Sequence, residues 1–184
     1  MSGYFGVPTR IQHDVADDLV VESRSTWIPG PCGLGLVLYR SHEIVIRVAN
    51  FSVYPDAFEF DLQIYSKTPT LTMEELLSQR RAKTLKDDLF RFAIEFDGST
   101  VYVGNPLGVG VEGRPAEGLY FYEGGTRGDY AELRLFAASG PRNGRIGFVC
   151  EWPSRGVPLI RTQTSARPLV EAAGMAERLW SSEG

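Results

Sequence analysis

The segment from residue 34 to residue 67 constrains the fold of this chain more than any other part of it. From residue 58 to residue 65, apolar and polar side chains alternate. Successive side chains of a β-strand point to opposite faces, so this alternation predicts a strand with one face buried and the other in water. The buried set is Phe58, Phe60, Leu62 and Ile64, and the solvated set is Glu59, Asp61, Gln63 and Tyr65.

The residues just before this strand predict its partner. Residues 43–54 are dense in β-branched and aromatic side chains, which favour strands. Pro55 fixes φ for the second position of a turn, and Asp56 suits the third position. The pattern therefore predicts a hairpin of strands 43–54 and 57–66. A turn at residues 40–43 connects it to an earlier strand.

Further short apolar runs, separated by Gly, Pro and Asn, recur at the intervals expected of a sandwich or barrel. Pro153 and Pro158 confine the last of these strands to a sheet edge or to its own ends. The predicted fold class is all-β: an antiparallel β-sandwich of about nine strands, in a single domain over residues 34–184. The remaining strands are predicted at 89–96, 100–103, 119–122, 130–137, 146–152 and 158–163, with Gly124, Gly125 and Gly128 as turn residues.

Two helices and two irregular segments complete the predicted organisation. A capping-box sequence at residues 72–75 predicts a short helix over 73–81. The glycine-rich residues 104–118 indicate a long surface loop, and residues 1–33 an extended N-terminal arm with one short strand. A C-terminal helix, packed on the sheet through an Ala-Leu-Trp stripe, follows from the helical spacing of Leu169, Ala172, Ala173, Ala176, Leu179 and Trp180.

Charge and composition argue against several classes of partner. A net charge of -4 and a pI near 5.3 lack the basic surface that nucleic acid and anionic membranes attract. The first 20 residues do not resemble a secretory signal, and no apolar stretch reaches the length of a membrane span. These features predict a cytoplasmic protein that binds neither nucleic acid nor membrane.

The cysteines and histidines predict no metal site and no cofactor. The two histidines, His13 and His42, are not arranged with the cysteines at zinc-binding spacing. Cytosolic proteins usually keep their thiols reduced. We therefore expect Cys150, inside an apolar run, to be a buried free thiol, although a disulfide with Cys32 stays open at this stage.

No established catalytic motif occurs in the sequence. Residues 108–113 match the glycine spacing of a dinucleotide-binding turn, but no helical pattern follows to hold a pyrophosphate. Glu59 and Asp61, two residues apart on one strand face, place their side chains about 7 Å from each other. That separation suits the acid and base of a glycosidase, or two ligands of a weak calcium site. Two carboxylates at this spacing also occur on strand faces that are simply exposed to solvent and have no catalytic or binding role.

Aromatic residues are the second candidate feature. Several tyrosines flank the glycines at 124 and 125, and Tyr65 lies on the early hairpin. Tyrosine clusters serve as platforms for sugars or proteins, and they also serve as cross-strand packing. The predicted binding residues are Glu59, Asp61, Tyr65, Tyr120, Tyr122 and Arg127.

Three segments of the chain resemble segments of other proteins. They are residues 54–60 (Tyr-Pro-Asp-Ala-Phe-Glu-Phe), residues 148–153 (Phe-Val-Cys-Glu-Trp-Pro) and the Ala-rich C-terminus ending Leu179-Trp180. In these the chain resembles a group of uncharacterised actinobacterial proteins, over roughly residues 34–180. Residues 134–139 depart from the tryptophan- and proline-rich version found in that group. The resemblance implies no activity, substrate or cofactor.

Two functions remain as hypotheses. The first is a non-enzymatic β-sandwich that binds a protein partner or a second copy of itself, because sandwiches have sheet edges that such contacts cover. The alternative is a hydrolase that acts on a carbohydrate or ester through the Glu59 and Asp61 pair.

Overall fold

A computed structural model describes residues 13–73, 76, 89–96, 100–104, 118–138 and 143–180. The chain is built mainly from antiparallel strands arranged as a sandwich, which confirms the predicted all-β class. Its elements are α1 (His13–Thr26), β1 (Trp27–Ile28), β2 (Gly30–Cys32), β3 (Leu36–Arg40), β4 (Ile44–Val53), β5 (Phe58–Ser66), β6 (Arg91–Phe96), β7 (Thr100–Gly104), β8 (Leu119–Thr126), β9 (Tyr130–Ala137), β10 (Arg145–Trp152), β11 (Val157–Ser165), α2 (Arg167–Gly174) and β12 (Glu177–Arg178).

Two sheets form the sandwich. The larger sheet has the order β2-β4-β5-β9-β8, with β3 also paired to β4, and the smaller sheet has the order β11-β10-β6-β7. Side chains from both sheets share one core. The ring of Phe60, for example, lies 5.2 Å from Phe51 in its own sheet and 6.0 Å from Phe92 and 5.9 Å from Phe148 in the other. A third pair, β1 with β12, stands apart from both sheets.

The predicted hairpin is confirmed. Strands β4 and β5 pair in antiparallel register, and Tyr54 N donates a hydrogen bond of 2.8 Å to Ala57 O across the turn. The predicted parity is also correct, because the whole apolar set of β5 is buried in the core. The opposite wall of the core is formed by Phe90 and by three side chains of β6 in the smaller sheet, Phe92, Ile94 and Phe96.

The N-terminal segment differs from the prediction. His13–Thr26 is not extended but forms α1, which packs on the outer face of the larger sheet. There Val20 is buried in a small second cluster with Tyr54, Tyr120 and Phe136. Most helical stability in proteins comes from such packing and not from intrinsic propensity. The Asp- and Val-rich sequence of α1 therefore gave no helical signal of its own.

The C-terminal helix is shorter than predicted. It ends at Gly174, and the following Glu177–Arg178 pairs with β1 as strand β12. Leu169 and Ala172 are buried as expected, but Trp180 is 76% exposed and covers no part of the core. The helical spacing fails beyond Gly174 because the backbone there bonds to the α1–β1 region, as in the 2.9 Å hydrogen bond from Leu179 N to Thr26 O.

The remaining predictions have mixed outcomes. Strand β11 lies at a sheet edge, as predicted, and Cys150 is a buried free thiol whose burial raises its pKa to about 12. Gly124 and Gly125 do not form a turn but belong to β8, because the chain turns at residues 127–129. Most of the predicted helix 73–81 and nearly all of the predicted loop 104–118 lie outside the described residues.

One glycine is required by the contact between α2 and β2. A Cβ added to Gly30 would lie 1.8 Å from Ala172 O, so Gly30→Ala forces α2 away from the sheet. We expect this variant to lose about 3 kcal/mol of unfolding free energy, the upper range for overpacking, in urea denaturation. The control is Gly33→Ala, since a Cβ there meets nothing within 4 Å. Equal stability of the two variants would contradict the close contact.

Candidate functional site

The polar face of β5 is largely covered. The sequence predicts Glu59 and Asp61 in water, but Glu59 is only 1% exposed and Asp61 only 6% exposed. Both residues lie on the outer face, as predicted, but they are buried, whereas the prediction was that they are exposed to solvent. The cover comes from α1, whose Arg24 side chain reaches Glu59, and from large side chains on the neighbouring strands.

Two β-bulges, one on each side of β5 and β9, direct polar side chains towards these carboxylates. In β4 the register passes from Ala49 opposite Asp61 to Ser52 opposite Glu59, which leaves one extra residue. Asn50 absorbs it with a φ of 55°, in the left-handed region that Asn tolerates better than most residues. As a result, Asn50 Nδ2 donates a 2.7 Å hydrogen bond to Asp61 Oδ2.

The second bulge lies in β8. Its register passes from Phe121 opposite Leu135 to Glu123 opposite Arg134, so Tyr122 is the extra residue. A bulge re-aims side chains and leaves the strand locally irregular. Phe121 still packs against the core, whereas the Tyr122 hydroxyl donates a hydrogen bond to Glu59 on the outer face.

Glu59 accepts five hydrogen bonds. Arg24 binds both of its oxygens, with Nε 3.1 Å from Oε1 and Nη2 2.8 Å from Oε2. The hydroxyls of Tyr54 and Tyr122 donate one bond each, and Arg134 Nε donates another of 3.1 Å. Burial alone raises the pKa of Glu59, but these donors outweigh it, Arg24 first, and lower the pKa to about 2.

Arg134 joins Glu59 to Asp61. Its Nη1 lies 2.7 Å from Asp61 Oδ1, and its remaining bonds go to Asn50 O, Ser52 Oγ and the Tyr122 hydroxyl. Burial lowers the pKa of Arg134, yet the hydrogen bonds that it donates to Asp61 and Tyr122 raise the pKa overall, so the guanidinium stays charged. We name the connected set, Arg24, Tyr54, Glu59, Asp61, Tyr122 and Arg134, the ionic cluster.

A second, neutral group of side chains surrounds Glu132 further along the same face. Gln63 Nε2 donates a 2.8 Å hydrogen bond to Glu132 Oε2, and the Tyr130 hydroxyl donates to the same oxygen. The hydrogen bond from Tyr130 is the main reason that the pKa of Glu132 is lowered. The rings of Tyr130 and Tyr65 lie 4.9 Å apart, which forms an aromatic pair beside this carboxylate.

An open cavity of about 370 Å³ lies between the ionic cluster and Glu132, and we name it the outer groove. Among the described residues, three of its polar groups have no hydrogen-bond partner: Arg24 Nη1, the Glu123 carboxylate and Glu132 Oε1. The groove is therefore polar, open and partly unsatisfied. Its lining residues are Arg24, Asp61, Glu123, Gly124, Gly125, Glu132 and Arg134.

The six sequence-predicted site residues divide into three groups. Glu59, Asp61 and Tyr122 come together in the ionic cluster, and Tyr65 lies beside Tyr130 near the groove. Tyr120 is buried beneath α1 as a packing residue. The sixth, Arg127, is exposed in the turn after β8 and does not line the groove.

Sequence reasoning missed four of the central residues, namely Arg24, Tyr54, Glu132 and Arg134. For two of them a signal existed, because Glu132 and Arg134 share one parity in the predicted strand 130–137. Tyr54 was placed at the end of the predicted strand 43–54, as one of the aromatic residues of the hairpin, but not among the predicted binding residues. For Arg24 no signal existed, because its role depends on a helix that the sequence did not predict.

Metal-binding clusters and membrane-spanning helices were both sought among the described residues. No group of three or more His, Cys, Asp or Glu side chains there is placed to hold a metal ion. Of the helices among these residues, none combines the length and the apolar character needed to cross a membrane. A scan of protein-family models and a search of curated proteins both find no match to this chain.

Proposed function

We propose that this chain is a non-enzymatic interaction module that receives a protein partner at the outer groove. One observation carries the proposal: the groove is preformed, and its rim keeps hydrogen-bonding groups without partners among the described residues. The ionic cluster fixes one wall of the groove before any partner arrives. Such preorganisation lowers the ordering cost of binding.

Proton-transfer chemistry receives less support from the same residues. A general acid or base needs a pKa near the working pH and an unoccupied path to the substrate. Glu59 has a pKa of about 2 and is enclosed by five hydrogen bonds. Both oxygens of Asp61 also accept hydrogen bonds, from Asn50 and Arg134. We therefore favour binding over the alternative of a hydrolase that uses this pair.

The position of the groove favours a protein as the ligand. It lies beside β8, which is the last strand of the larger sheet among the residues that the structure describes. An edge strand presents unpaired backbone groups to which another chain can pair. Glu123, Gly124 and Gly125 are exposed in this strand, without the lysine or proline that commonly protects an edge.

Blocking the groove tests the proposal. In Gly125→Trp the added side chain has space, because a Cβ at this position meets nothing within 4 Å, so the fold is retained while the groove is filled. The control is Gly33→Trp, at an exposed glycine with equally free space and outside the groove. Light scattering and cross-linking in cell extract then compare both variants with the unmodified protein.

We expect complexes of the unmodified protein and of Gly33→Trp that disappear for Gly125→Trp. A strict monomer without any cross-linked partner would contradict the proposal. So would equal recovery of the same complexes with both variants, because a contact elsewhere on the molecule would then form them.

A further inference from the structure

We infer that the partner of the outer groove is an extended basic segment, which adds to β8 at the edge of the larger sheet as the described residues form it and places a lysine or arginine side chain between Glu123 and Glu132. This inference rests on the proposed function and specifies the chemistry of its partner. Three observations support it: the charge balance of the groove, the geometry of β8 and the aromatic pair.

Two carboxylates of the groove, Glu123 and Glu132, have no ion pair among the described residues, although the charge of Arg134 acts on Glu132 at longer range. Glu59 and Asp61 are paired with Arg24 and Arg134 inside the ionic cluster. Glu132 instead has only neutral donors, Gln63 and Tyr130, and Glu123 is exposed without an ion pair among the described residues. The rim of the groove is therefore anionic. Complementary potentials set specificity at interfaces, so a cationic group is the matching ligand.

The geometry of β8 leaves room for a long side chain. Gly125 lies opposite Glu132, and Glu123, two residues earlier, shares its strand face. A side chain at position 125 would stand between the two carboxylates, and glycine leaves this space empty. In a strand added to β8, every second side chain would lie on the outer face, and one of them would lie beside Gly125. An extended arginine or lysine fits the vacant place.

The aromatic pair provides a second kind of cation contact. Tyr65 is 40% exposed and Tyr130 is half-buried beside Glu132. A guanidinium or ammonium group is attracted to the face of a tyrosine ring, above all when a carboxylate lies nearby. The chain already contains this kind of contact, because the guanidinium of Arg24 lies 4.7 Å from the ring centre of Tyr122.

The same charges disfavour a second copy as the occupant. If β8 paired with β8 of another copy, the exposed Glu123 of each copy would lie in neighbouring strands, with Glu132 one strand further away on each side. Like charges in adjacent strands are destabilising. An acidic segment would face the same repulsion, so charge selects a basic segment from a different protein.

Two synthetic peptides test this inference. Both are acetylated, amidated and fluorescently labelled: Thr-Val-Arg-Val-Arg-Val-Thr and the matched Thr-Val-Glu-Val-Glu-Val-Thr. Fluorescence anisotropy at low salt measures their affinities for the full chain. The test variant combines Glu123→Gln with Glu132→Gln. The charge-matched control combines Asp56→Asn with Glu177→Gln, two exposed positions that do not line the groove.

We expect the arginine peptide to bind at least tenfold more tightly than the glutamate peptide. We also expect the test variant, and not the control, to lose at least tenfold of that affinity. Amide hydrogen exchange of residues 123–126 should slow when the arginine peptide binds, because an added strand protects the edge.

Equal affinities for the two peptides, or equal affinities of the test and control variants, would overturn the basic-segment inference. So would undetectable binding of the arginine peptide. None of these results affects the groove-blocking experiment: if Gly125→Trp still abolishes partner complexes, the proposed function stands with a partner of different chemistry. Failure of that experiment would remove the basis of both.

Discussion

Phe60→Asp is expected to leave the chain without a cooperative folded state. Phe60 is fully buried, and its ring contacts aromatic side chains from both sheets. Loss of a buried phenylalanine costs about 3 to 5 kcal/mol, and a carboxylate without partners in the same place costs several more. Typical domains are stable by about 5 to 15 kcal/mol. The substitution therefore removes most or all of the free energy of unfolding.

Circular dichroism and thermal melting measure this outcome, with two controls. Phe60→Leu keeps an apolar side chain of similar size and should cost only about 1 to 2 kcal/mol. Tyr65→Asp introduces the same carboxylate on the outer face of the same strand, at a residue that is 40% exposed, and should still melt cooperatively. A cooperatively melting Phe60→Asp variant would contradict the buried position of this face.

The core of this fold was predictable from local pattern. Side-chain direction alternates along a strand whatever the strand pairs with, so the parity of residues 58–65 identified the core face directly. The turn at Pro55 and Asp56 was equally local. Register and strand order are set by long-range pairing, and the sequence pattern could not provide them. The position of β9 between β5 and β8 is one example.

The exposure of the outer face was not predictable in the same way. Glu59 has the parity of a solvated residue, and it is removed from water by the docking of α1 together with the side chains of Tyr122 and Arg134. That docking depends on Val20 and Arg24, which carry no helical signal in isolation. The signal that was present is indirect: two carboxylates on one strand face need cationic partners once they are buried.

The two β-bulges were also not predicted from the sequence. Each one depends on the register between two strands, which no single strand encodes. Asn50 gave a weak hint, because Asn is enriched in the left-handed conformation that the bulge adopts. Tyr122 gave none. The candidate site was therefore found in part, through Glu59, Asp61 and Tyr122, whereas its shape depends on these irregular positions.

Glu59→Gln is expected to cost about 3 to 5 kcal/mol of unfolding free energy at pH 7, the cost of breaking a buried ion pair from one side. The substitution leaves Arg24 and Arg134 beside an amide that offers one acceptor oxygen and no charge. The matched control is Glu132→Gln. That carboxylate has only neutral donors, so its loss should cost about 1 kcal/mol. Urea denaturation compares the variants, and similar losses in both would contradict the ionic cluster.

The pH dependence gives a sharper form of the same prediction. The pKa of Glu59 falls from its ordinary 4.5 to about 2, so the folded state holds the ionised form more strongly than the unfolded state does. The resulting stabilisation, about 3 kcal/mol, is fully present above pH 4.5 and is lost as the pH falls towards 2. The stability difference between the unmodified protein and Glu59→Gln should therefore shrink across this range. Since Gln does not titrate, a difference that stays constant from pH 6 to pH 2 would mean that charge on Glu59 does not hold α1 on the sheet.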